Sequence, residues 1–149
     1  MSYSDHYVKQ KEAAQMNFDA LIEAAQFNGL KVIEIQYAGY GDSGGIDDVF
    51  FGPKEATLEL SQTMVRRVDV ESLLLNEETR ERTYIIGAPT SKSLEDAAQG
   101  FFYDICDRYD IDFNNGGCNG TMEINVDTRE IKVNNTYMIE ETEVYTDTM

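Results

Sequence analysis

Met122, Ile124 and Val126 alternate with Glu123, Asn125 and Asp127, and Ile131 and Val133 resume the alternation after a short turn at Asp127-Thr128-Arg129. Successive strand side chains point to opposite faces, so this pattern predicts a hairpin with one buried and one wet face. A second alternation sets Ile33, Ile35 and Tyr37 against Val32, Glu34 and Gln36. It is followed by the glycine-rich segment 38–45 and the strand-like run Ile46–Phe51, which together predict a second hairpin near the N-terminus. Thr83–Ile86 is strand-like and is broken by Gly87-Ala88-Pro89.

Two segments follow the helical period instead. In 5–28, Ala14, Phe18, Leu21 and Ala25 share one face, and Gly29 stands where a C-terminal cap belongs. From residue 93, Ser93 and Asp96 fit a capping box, and Leu94, Ala97, Ala98, Phe101, Phe102, Ile105 and Tyr109 form a wide apolar stripe. The order is then helix, two strands, an insertion, helix, two strands. The simplest architecture is α+β: a single antiparallel sheet of about four to five strands with two helices packed on one face. One domain is expected over 1–137, with a peripheral insertion near 54–82. Residues 138–149, acidic and without a base, are expected to form a frayed tail.

Composition narrows the function classes. Among 149 residues, 28 Asp and Glu against 12 Lys and Arg give a net charge of −16. A field of that sign repels nucleic acid and anionic membranes, so no direct nucleic-acid binding is expected; Arg66-Arg67 is too small a basic patch. The same charge suits either solubility or docking on a basic partner. No apolar run approaches the ~18 residues that a membrane span needs, and residues 1–15 lack a signal-peptide core. Cys106 and Cys118 are too few for a disulfide framework, and a cytoplasmic location is expected.

Several motifs invite a chemical reading. Gly41-Asp42-Ser43-Gly44-Gly45 spells the nucleophile motif of trypsin-like proteases, but that chemistry needs a histidine base and the only one is His6. The segment reads better as a tight loop, and a candidate binding loop is drawn from Tyr37, Gly39, Gly41, Asp42, Ser43, Gly44 and Asp47 together with Asn114 and Gly116. Asp110, Asp112 and Asn114 space their oxygens like a calcium loop, yet Asn115 stands where the loop glycine belongs and Thr121 where its bidentate glutamate belongs. One histidine and two distant cysteines make no zinc site. No cofactor and no catalytic residue is assigned. Were the chain an enzyme, Asp42, Ser43 and Asp47 would be the first residues to test.

Two segments carry a resemblance. Tyr37-Ala38-Gly39-Tyr40-Gly41-Asp42-Ser43-Gly44-Gly45-Ile46-Asp47 resembles the signature of a family of small bacterial and phage proteins known as DUF6878, a domain of unknown function. The turn from Asn114 to Gly120, the strand Met122–Val126 and the ending with Glu140, Glu141 and Tyr145 are similar to the family's C-terminal part. The family's tryptophan in that turn is replaced near Ile111–Asp112. The resemblance implies an α+β domain often carried on mobile elements, and it carries over no catalytic residues. The expected function is that of a non-enzymatic acidic interaction protein. Its expected partner is a host protein with a basic surface, whose nucleic-acid site it would block. The alternative is a small-molecule or metal-binding domain built on the 39–45 and 110–117 loops.

Overall fold

A computed structural model describes residues 3–39, 45–53, 63–109, 111, 117–137 and 141–149. The first helix, α1 (Tyr3–Phe27), ends where expected. Gly29 takes φ 73° and donates to the Gln26 carbonyl at 3.0 Å, while Leu30 N–H reaches back to Ala25 at 2.9 Å. These are the two bonds of a Schellman cap, and Leu30 is buried beside it. The second helix, α2 (Leu94–Ile105), begins on the Ser93 cap, whose hydroxyl accepts from Asp96 N–H at 3.1 Å. Phe18 of α1 meets Phe101 of α2 with ring centroids 4.9 Å apart.

The main sheet joins β1 (Val32–Gly39), β2 (Gly45–Gly52), β7 (Cys118–Asn125), β8 (Glu130–Tyr137) and β9 (Glu141–Thr148) in the order β2-β1-β7-β8-β9. Every pairing is antiparallel. Both expected hairpins form, and their inner strands β1 and β7 zip them into one sheet. Ile33, Ile35, Tyr37, Met122, Ile124, Ile131 and Val133 line one face and are buried against the helices, as the period of two requires.

The expectation of a single sheet is corrected. Two further two-stranded sheets form, β3 (Met64–Arg67) with β6 (Thr90–Ser93) and β4 (Val70–Asn76) with β5 (Glu81–Ile86). The run Thr83–Ile86 therefore belongs to a local hairpin with β4, not to the main sheet. The described part of the expected insertion is also not wholly peripheral, since Val65 and Val68 are buried. The last residues differ from a frayed tail as well: β9 pairs with β8 along its length, from Glu130↔Thr148 to Tyr137↔Glu141. Its anchor is Tyr145, which packs on Tyr109 at 5.7 Å, below the end of α2.

Candidate interaction surface and the buried polar groups

The residues singled out in the sequence fall into three groups. Gly41, Asp42, Ser43, Gly44, Asp110, Asp112, Asn114 and Gly116 lie outside the described residues. Asp47 is exposed on β2, as the extra residue of an irregularity where the register shifts between Gln36 and Tyr37. Gly39 ends β1 directly opposite Cys118, the first residue of β7, so the segments after Gly39 and before Cys118 leave from the same end of the sheet.

Tyr37 is a core residue, 1 % exposed, and its ring stacks on Phe102 at 5.0 Å. Its hydroxyl donates to Asn135 Oδ1 at 3.0 Å across the intervening strand β7. Gly120 makes that reach possible: a side chain there would run into the Asn134 carbonyl and the Tyr37 hydroxyl. Asn135 is fully buried, and its Nδ2 has no hydrogen-bond partner among the described residues. A buried donor left unpaired costs about 1–3 kcal/mol, so this amide stands out in an otherwise well-paired core.

Among the described residues, neither helix covers the opposite face of the main sheet. Strand alternation places Asp48 and Phe50 of β2, Glu34 and Gln36 of β1, Thr121 and Glu123 of β7, Glu130 and Lys132 of β8 and Val144 of β9 on that face. None of these side chains is buried. Glu34, Asp48, Glu123 and Glu130 thus face water with Lys132 as the only base of the set; the register sets Glu34 directly against Glu123, and Glu123 against Lys132 on its other side. Like charges opposite each other on neighbouring strands are destabilising. Gln36 Nε2 donates to Glu34 at 3.3 Å, and no cation lies within ion-pair distance of either glutamate among the described residues.

A second polar region lies where α1 and α2 meet the β3–β4 connection. Arg67 grips Asp104 with two prongs, Nη1 to Oδ2 at 2.9 Å and Nη2 to Oδ1 at 2.7 Å. Asn17 donates to the same carboxylate at 3.0 Å, and its amide also exchanges bonds with the backbone of Val68, accepting from N–H at 2.8 Å and donating to C=O at 2.9 Å. Burial works against the Arg67 charge, but the hydrogen bonds and proximity of Asp104, and then of Asp69, outweigh it and raise the guanidinium pKa. A cleft of about 270 Å³ beside this knot is lined by His6, Gln10, Asp69, Tyr103 and Asp104. His6 stacks on Tyr84 at 4.5 Å, and both Asp104 oxygens are already engaged. Among the described residues no three His, Cys, Asp or Glu side chains converge as a metal site. No helix there is long and apolar enough to cross a membrane.

A model of the family described as a family of unknown function (DUF6878) matches residues 13–149, and the chain belongs to that family. No curated protein and no solved structure matches it.

Proposed function

We propose that the protein is a non-enzymatic interaction protein that docks its uncovered sheet face on a basic surface of another protein, at a site that otherwise takes nucleic acid. The observation that carries this reading is the cross-strand pair Glu34 and Glu123 on a face that no helix covers, flanked by Asp48 and Glu130. Glu34 stands between Phe50 and Glu123 with no base opposite it on either neighbouring strand, whereas Glu123 has Lys132 across from it on β8. The repulsion at this register is therefore only partly offset within the sheet. A cationic partner turns the same pair from a liability into an anchor, and the net charge of −16 steers the encounter.

The test is affinity capture from a lysate of the cells that carry the protein, at about 0.1 M and about 0.5 M salt, across which exposed ion pairs become screened. The captured partner is expected to be a nucleic-acid-binding protein, to dissociate at the higher salt, and to be missed by a Glu34→Gln/Asp48→Asn/Glu123→Gln variant. A partner held equally by wild type and variant sinks the reading.

A small-ligand reading is favoured by one observation, the unpaired Asn135 Nδ2. It lies two register positions in from the sheet end where Gly39 and Cys118 face each other, and it asks for an acceptor oxygen. A panel of metal salts and metabolites, read by thermal shift, separates the two readings. A compound that raises the melting temperature of wild type but not of Asn135→Ala supports the ligand; no such compound leaves the docking reading alone.

A further inference from the structure

The hairpin β4–β5 shows a second surface, independent of the acidic sheet face. All residues from Glu71 to Arg82 are exposed, including Leu73, Leu74 and Leu75 in succession. Three consecutive exposed leucines are rarely placed on a surface that meets only water. The hairpin has two faces. Ser72, Leu74, Arg82, Tyr84 and Ile86 share the side toward α1, where Tyr84 stacks on His6 and Arg82 donates to Ser72 Oγ at 3.2 Å. Leu73 and Ile85 share the outward side, on diagonal positions of the ladder, at 47 % and 38 % exposed. Leu75, at 58 %, extends this apolar strip at the register irregularity before Asn76.

The backbone points the same way. Among the described residues β4 pairs with β5 alone, so its other edge, beside the apolar strip, has no strand partner among them. Edge strands are ordinarily shielded by charges, proline or a covering element, whereas here the middle of β4 is Ser72-Leu73-Leu74-Leu75. On β4 itself the one charge is Glu71 at the start; Glu77, Glu78, Arg80 and Glu81 lie around the turn, and Arg82 of β5 reaches Ser72 on the side toward α1.

We propose that the outer edge of β4 is a strand-addition site for an extended segment of another protein, with two apolar residues at alternate positions flanked by lysine or arginine. The apolar pair would lie along Leu73 and Leu75, and the flanking bases would meet Glu71 at one end and Glu77 and Glu78 at the other. A second copy of this chain fits poorly, because each copy brings a net charge of −16 and the same acidic ends.

The probe is the capped peptide Lys-Thr-Val-Thr-Val-Thr-Lys, titrated into the full chain and followed by amide NMR shifts and amide hydrogen exchange. Shifts and new exchange protection are expected at residues 70–76, weakening from about 0.1 M to about 0.5 M salt. The variant Leu73→Asp/Leu75→Asp, altered only at exposed positions, is expected to bind roughly tenfold more weakly or worse. A companion peptide with proline in place of the central threonine loses ladder bonds and should fail. The proposal is overturned by equal binding of the proline peptide, by shifts confined to other strands, or by no shift at millimolar peptide. Concentration-dependent protection of β4 in the protein alone also overturns it, in favour of a second copy.

Discussion

Glu34 and Glu123 stand directly opposite each other on neighbouring antiparallel strands, on the face of the main sheet that neither helix covers. Glu123 also faces Lys132 on β8, whereas Glu34 faces Phe50 on its other side, so replacing Glu34 by glutamine removes the repulsion without losing an attractive cross-strand pair. The free protein should become more stable by about 0.2–1 kcal/mol, measured by urea denaturation, and should lose affinity for the proposed basic partner. Stability and binding moving in opposite directions is the signature of a charge pair held for a partner. A loss of stability would show that the pair is already satisfied within the fold.

Asp104 accepts from both Arg67 and Asn17. Asp104→Ala removes three charge-assisted bonds and leaves a guanidinium that is only 13 % exposed without its main counter-ion. A cost of about 2–4 kcal/mol follows, mostly from the stranded charge. Hydrogen exchange should localise the loosening to the β3–β4 connection, because Asn17 also holds the Val68 backbone.

Gly100 sits inside α2, where alanine ordinarily gains about 1 kcal/mol. Here the added methyl would come within 2.6 Å of Arg67 Nη1, whose position is fixed by Asp104. Gly100→Ala is therefore expected to destabilise by about 1–2 kcal/mol. In the Asp104→Ala background the guanidinium is free to move, and the same substitution should become neutral or stabilising. Additive effects in that double-mutant cycle would refute the steric account.

Tyr109 is buried, and burial together with the nearby Asp147 charge pushes its phenol up to about 12, against an opposing pull from Arg108. The folded state thus holds a proton that the unfolded chain releases near its ordinary value of about 10. The contribution is fully present below about pH 10 and is lost as the pH rises toward about 12. Tyr109→Phe should flatten the alkaline limb of the stability curve in that window. An unchanged limb would place the alkaline sensitivity elsewhere.

Much of the fold was legible in the residues themselves. The alternations at 32–37 and 122–133 and the Ser93 cap define β1, the β7–β8 hairpin and the start of α2, because local periodicity and capping chemistry are intrinsic to the chain. β9 was not legible, because its inward-facing set holds Tyr145 but also Asp147, and acids dominate its composition. Its stability comes from β8 and Tyr109, partners remote in sequence. The nested pairing of β3 with β6 and β4 with β5 was hidden for the same reason: ladder partners are set by which sheet edges remain open. Of the candidate site, the glycine signal located the sheet end where Gly39 meets Cys118. It gave no warning that Tyr37 points inward to Asn135. The outward carboxylates were individually visible in the sequence, and only the register makes Glu34 and Glu123 neighbours.

The strand order β2-β1-β7-β8-β9 has a consequence for synthesis on the ribosome. The hairpin β1–β2 emerges before β7, and β1 gains its second neighbour only when β7 is made, after β3 to β6 and α2. Until then the Ile33–Ile35–Tyr37 surface lacks half of its sheet, while the intervening hairpin β4–β5 can close on local contacts alone. Folding of the main sheet is therefore expected to wait for β7 and to be limited by closure of one long loop. The nascent β1 edge would be the segment most in need of a chaperone.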